Sequence, residues 1–291
     1  MSATKQVQPI LHKKSLLVSN IVTIILLVLF LLLELLVDLV LKPVYSQTGL
    51  VVAGVIMALI PAILWIGFFY RQDRLEPEPK GMVLQVFVLG ALVAAGIGIP
   101  LVNNVFKTTT WIYRDWWVHL LGGILVIGFT QEFLKYAVVR FSIYNASEFN
   151  ERIDGIIYST AAGLGYATML SITFVAGSGG VDLGMGAVRV VLTALAQASF
   201  SGITGYFLGR EKLDKKGAWW TPFGVCLAAV LNGLFFFLES TLSAPRLTAT
   251  GSTVNPYFGL VLAAVLAVAV TAILSWLIER DYKSGLGPQE E

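Results

Sequence analysis

The chain has 291 residues, of which 56% are hydrophobic and only 13% charged, with a mean hydropathy of +0.78. About a quarter of the residues of an ordinary soluble domain are charged, so these values exclude such a domain and indicate an integral membrane protein. A single cysteine, Cys226, excludes an intrachain disulfide and a cysteine metal cluster. Two isolated histidines, His12 and His119, argue against a histidine metal site. No cofactor, no metal and no nucleic-acid partner is expected, and the net charge of +2 decides little.

The first residues are cationic (Lys5, His12, Lys13, Lys14), and 1–15 reads as a cytoplasmic tail. The apolar run that follows, 16–41, is too long for the core of a signal peptide and lacks a cleavage site, so it reads as a retained first span. Taking about 20 apolar residues per crossing, further spans fall at roughly 49–70, 82–105, 118–143, 154–176, 186–209, 221–240 and 257–278. The expected fold is all-α: a polytopic membrane bundle of about eight helices, forming one transmembrane domain over 16–278, with a tail at 279–291. The bilayer is its first partner.

Lys and Arg set the orientation. With the N-terminus inside, only Lys42, Lys107, Arg114, Arg189 and Arg246 fall on the outer side, and Lys135 lies within the membrane. All the others fall inside, so both termini are expected in the cytoplasm of a multi-pass cell-membrane protein. Trp111, Trp116, Trp117, Trp219 and Trp220 fall at span ends, where interfacial aromatics belong.

Polar residues inside spans are costly and mark sites. Gln131-Glu132-Phe133-Leu134-Lys135 lies in the fourth span. Glu132 and Lys135, three residues apart, share one helix face. At 1.5 Å per residue, Glu132 sits about 15–20 Å from the inner end, near the bilayer middle. The pair reads either as a lock between helices or as a carboxylate that activates water. Gln197 in the sixth span and Asn232 in the seventh lie at a similar depth. Convergence of the two amides on Glu132 would make a polar pocket. Ala194, Ala198, Gly202, Gly205 and Gly209 give the sixth span a face of small residues, which reads as helix packing.

Before the third span the chain reads Tyr70-Arg71-Gln72-Asp73-Arg74-Leu75-Glu76-Pro77-Glu78-Pro79, preceded by Pro61 and Trp65. This run resembles the cytoplasmic loop of the PrsW family of intramembrane proteases, a glutamate-type group placed with CAAX-proteases and bacteriocin-processing proteins. That family ends its second helix with an aromatic-x-x-Asp-Arg-x-Glu-Pro-Glu-Pro signature. The order of the later motifs is similar too, and the resemblance covers about 50–240. It implies cleavage of peptide bonds within or beside transmembrane segments, and a transmembrane protein as substrate or partner.

The resemblance also exposes departures. The family's glutamate pair maps onto Gln131 and Glu132, and its lysine onto Lys135. Its Gly-Leu-Gly-Phe-Ala-x-x-Glu-Asn element maps onto the stretch from Gly163 to Ser171, with Leu170 and Ser171 in place of Glu and Asn. Its two histidines map onto Gln197 and Asn232, and a further Asn onto Phe236. The candidate catalytic positions are therefore Glu132, Lys135, Gln131, Gln197 and Asn232. Amides donate hydrogen bonds but take up no proton, and His119 lies 13 residues, about 20 Å, before Glu132 on the same helix. Three readings stay open: a PrsW-like protein with a degenerate site and little or no peptidase activity that binds transmembrane segments; an active protease using Glu132 with the amides as oxyanion donors; and a transporter or ion-conducting protein.

Overall fold

A computed structural model describes residues 22, 25–34, 36, 40, 46–72, 78–179, 183–242, 246–248, 251–253 and 257–285. Both expected tails, half of the expected first span at 16–41 and the Asp73–Pro77 stretch of the signature loop lie outside the described residues, apart from 279–285, which are helical. Within the first span, Ile25–Glu34 (α1) is an apolar helix.

Among the described residues, seven helical stretches are long and apolar enough to cross a membrane, and they match the remaining expected spans. A bilayer offers backbone groups no water, so each crossing must satisfy its own N–H and C=O groups as a helix. In chain order they are α2 (Gln47–Gln72), α3 (Lys80–Val93), α4 (Trp116–Gly122) running on into α5 (Phe129–Ser142), α6 (Arg152–Gly177), α7 (Leu183–Leu213), α8 (Trp220–Leu242) and α9 (Tyr257–Gly285). Two of these crossings contain wider, π-helical turns. The crossing begun by α3 has them at Ala94–Gly98 and Leu101–Val105, on either side of Pro100. The crossing begun by α4 has one at Gly123–Gly128. An antiparallel hairpin, β1 (Arg246–Thr248) with β2 (Gly251–Thr253), lies between α8 and α9 and has no counterpart in the sequence reading.

The burial pattern is that of a bundle in lipid. Phe133 is 55% exposed, while its neighbour Glu132 is fully enclosed. Leu92, Leu125 and Val265 likewise face outward. The most buried spans are α6 and α7, which make the centre of the bundle. Their contact needs small residues: a Cβ on Gly155 would fall against the Gly205 carbonyl and within 2.7 Å of the Gly209 nitrogen. The four-residue spacing of Gly205 and Gly209 is thus a packing seam between α7 and α6.

At one end of the bundle Asp214 ties two helices together. It accepts from Arg152 Nε of α6 at 2.8 Å and from Arg210 Nε of α7 at 2.6 Å. Partial burial raises the Asp214 carboxyl, but the hydrogen bonds and charges of the two arginines outweigh that and hold it below the usual carboxylate value. Nearby, Lys212 Nζ donates to the Ala146 carbonyl at 3.2 Å, and Arg140 lies over the Tyr144 ring.

Two outcomes follow from this packing. Gly155→Ala should destabilise the protein by about 1–3 kcal/mol in detergent unfolding, whereas Gly81→Ala, where a Cβ meets nothing within 4 Å, should not. Because the folded Asp214 pKa is lowered, its contribution is present above the unfolded value near ~4 and is lost as pH falls through the folded value. Asp214→Asn should therefore lower the melting temperature at pH 7, with the deficit fading at pH 3. An equal deficit at both pH values would assign the effect to packing instead.

Candidate functional site

The site is built on the α4–α5 crossing. The π-helical turn at Gly123–Gly128 ends one residue before α5, and wider turns of this kind often occur at functional positions. It also lets α8 come close: a Cβ on Gly128 would fall on the Ala229 carbonyl oxygen, and one on Gly233 would meet the Ile124 backbone. Backbone contact at these two glycines brings Asn232, which lies between Ala229 and Gly233, against α5.

The five positions singled out from the sequence meet here. All are buried: Gln131, Glu132 and Lys135 on α5, Gln197 on α7 and Asn232 on α8. Lys135 Nζ donates to Glu132 Oε1 at 2.6 Å and to Gln197 Oε1 at 2.6 Å. Gln197 Nε2 donates to Gln131 Oε1 at 2.8 Å. Asn232 Nδ2 donates to Gln131 Oε1 at 3.0 Å and to Glu132 Oε1 at 2.7 Å. An ammonium has only donors, so it fixes the orientation of Gln197: the oxygen faces Lys135 and the amide nitrogen faces Gln131. The Tyr166 ring of α6 lies 6.0 Å from the ammonium and adds a fourth element to the enclosure.

One oxygen stands apart. Glu132 Oε1 accepts two hydrogen bonds, whereas Glu132 Oε2 is buried with no partner among the described residues. A buried carboxylate oxygen left in this way is costly, and it is the atom of the cluster free to engage water or another ligand.

Other polar residues serve packing. His119 is not part of the cluster. Its Nε2 lies 3.0 Å from Ser240 Oγ, and its ring sits edge-on to Tyr113, Phe236 and Phe237. Phe236 thus belongs to that aromatic packing. Ser171 is buried and Leu170 half-buried, and neither hydrogen-bonds to the cluster among the described residues. Ser201 of α7 lies against Gly163, with its hydroxyl unpartnered among the described residues.

Sequence reasoning missed a second polar group. Glu78, from the Glu-Pro-Glu-Pro run, is buried and accepts a hydrogen bond from the Tyr158 hydroxyl of α6. Asp154, in the first turn of α6, is in hydrogen-bonding contact with Glu78 and also accepts from the backbone nitrogens of Asn150 and Glu151 at 2.8 and 2.6 Å. Glu78 belongs to the loop run noted in the sequence, but nothing in that run points to Asp154 or Tyr158.

Comparison with known proteins agrees with the family resemblance. A family profile described as "PrsW family intramembrane metalloprotease" matches residues 78–274, more than half of the chain. The chain belongs to the PrsW family. Three proteins named "Protease PrsW" are similar to it. That of Bacillus subtilis (strain 168) is 29% identical over 187 residues, covering 64% of this chain and 82% of that protein. That of Halalkalibacterium halodurans is 29% identical, covering 61% and 79%. That of Geobacillus kaustophilus is 30% identical, covering 61% and 76%. No solved structure matches.

The family description implies a metal, and the donor set of this PrsW-family chain does not fit one. The cluster offers a single carboxylate, with no imidazole and no thiolate, and an ammonium lies 2.6 Å from the carboxylate oxygen. Among the described residues no group of three or more His, Cys, Asp or Glu side chains is placed to hold a metal ion.

The ion pair makes a prediction about stability. Lys135→Met leaves the Glu132 carboxylate enclosed without its counter-charge and should cost about 3–5 kcal/mol in reconstituted protein. Adding Glu132→Gln to that variant should recover most of the loss.

Proposed function

We propose that this PrsW-family chain is a multi-pass cell-membrane protein, a single transmembrane domain with both termini cytoplasmic, that engages transmembrane segments of other proteins and has little or no peptidase activity. The observation that carries this reading is the direction of the amide donors. Both Asn232 Nδ2 bonds, and the Gln197 Nε2 bond, are made within the cluster, to Gln131 and Glu132. The Lys135 ammonium is likewise committed to Glu132 and Gln197. General acid–base catalysis needs a group that takes up and returns a proton near working pH. The amides of Gln131, Gln197 and Asn232 do neither, and Glu132 Oε1 already accepts from Lys135 and Asn232.

Membrane enclosure supports a transmembrane partner. The cluster is screened from water on several sides by α5, α6, α7 and α8, so a ligand reaching it arrives through the bundle rather than from bulk solvent. Lipid-facing apolar residues on α5 and α8, such as Phe133 and Leu234, are of the kind that pack against a helix in the bilayer.

One observation favours a second reading, an active protease. Glu132 Oε2 is free among the described residues. A water held there would have its proton accepted by Glu132, and attack by its oxygen on a peptide carbonyl would leave an oxyanion for an amide donor to stabilise. That chemistry requires Asn232 or Gln197 to release its present acceptor.

A cleavage assay separates the two. The protein is reconstituted in liposomes and incubated with labelled transmembrane peptides beside a Glu132→Ala control. The first reading predicts peptide association by energy transfer, with no more cleavage than in the control. Cleavage that disappears in the control would establish the second. For topology, single cysteines introduced at positions 215–217 in a Cys226→Ser background should react only with reagent on the cytoplasmic side.

A further inference from the structure

We propose that this site holds no divalent metal and that the Lys135 ammonium, at the position of the family's lysine, serves as its cation, so that the chain is a metal-independent member of a family described as metalloproteases. The inference does not depend on whether the chain cuts peptides.

The first argument is positional. A cation joining α5 to α7 at the site must sit between the Glu132 carboxylate and the polar group on α7. Lys135 Nζ already does so, 2.6 Å from Glu132 Oε1 and 2.6 Å from Gln197 Oε1. Its own stem comes from α5, one turn beyond Glu132, and its burial is nearly complete.

The second argument concerns the donors. A catalytic zinc site takes three protein ligands, drawn from imidazole, thiolate and carboxylate, and keeps one open position. Here the carboxylate stands alone. Gln131 Oε1 already accepts from two amide nitrogens, and Gln197 Oε1 from the ammonium. An amide oxygen saturated in this way is a poor ligand.

The third argument is electrostatic. Glu132 and Lys135 cancel, so the enclosed cluster is neutral. Adding a divalent ion beside the ammonium would leave a net buried double positive charge, with no further carboxylate among the cluster residues to offset it. Gln197 and Asn232 fit the ammonium instead: one gives it an oxygen, and the other gives the carboxylate a hydrogen bond.

The test is the metal content of the full-length chain. The detergent-purified protein is equilibrated with zinc, manganese or cobalt, passed through a desalting column and assayed by inductively coupled plasma mass spectrometry. The expected result is metal far below one ion per chain, with no change in melting temperature on adding zinc or EDTA. The triple variant Lys135→Met/Gln197→His/Asn232→His, which removes the resident cation and supplies two imidazoles, should retain about one zinc per chain and melt higher with zinc than with EDTA. Stoichiometric metal in the native chain, lost in Glu132→Gln, would overturn the proposal. So would a folded triple variant that takes up no zinc. If that variant does not fold, the native chain still decides: a rise in melting temperature with zinc that is absent in Glu132→Gln refutes the idea. Peptide cleavage that persists in EDTA would refute the non-catalytic reading while leaving this one standing.

Discussion

A carboxylate and an ammonium in the middle of a bilayer are each expensive to hold there, and their attraction offsets the cost only when the geometry is good and the remaining hydrogen-bonding capacity is met. Glu132 and Lys135 satisfy that condition through other helices. Gln197 of α7 supplies the second acceptor for the ammonium, and Asn232 of α8 supplies the second donor to Glu132 Oε1. Gln131 Oε1 then ties the two amides together. The arrangement fixes the register of three helices at one depth, and much of the surrounding packing can be understood as what allows it. Gly128 and Gly233 let α8 reach α5, and Gly155 with Gly205 and Gly209 seats α6 against α7.

The same network bears on function. In the PrsW resemblance, the positions now held by Gln197 and Asn232 carry histidines. An imidazole shuttles protons and ligates metals, whereas a carboxamide only exchanges hydrogen bonds. With carboxamides at Gln197 and Asn232, the groups of this site mostly satisfy each other. Glu132 Oε2 is the exception, a buried acceptor that the described residues leave open. It leaves one acceptor of the site open to a ligand or a water.

Much of this was legible in the sequence because the membrane imposes simple rules. Run length places seven of the spans, and the i, i+3 spacing of Glu132 and Lys135 gives the ion pair. Counting rise per residue puts Gln197 and Asn232 at the same depth, and depth is what made convergence readable before any contact was known. Other features had no local signal. The π-helical turn at Gly123–Gly128 arises where α8 packs closely and reads in sequence as ordinary apolar helix. Tyr166 looks like any aromatic of a packed helix, yet its ring lies 6.0 Å from the ammonium. The contact of Glu78 with Tyr158 joins residues 80 apart in sequence, and nothing in either segment announces the other. The β1–β2 hairpin was missed because Arg246–Thr248 and Gly251–Thr253 are too short to show a strand period.

The central claim is that helices are coupled through this polar cluster, α5 to α7 among them, and a double-mutant cycle between Lys135→Leu and Gln197→Leu in reconstituted protein tests it most directly. Residues sharing one hydrogen-bond network couple by about 0.5–3 kcal/mol, whereas independent sites add within ~0.5 kcal/mol. The account predicts coupling within the first range, since the ammonium and the Gln197 oxygen meet at 2.6 Å. Strict additivity of the two substitutions would contradict it.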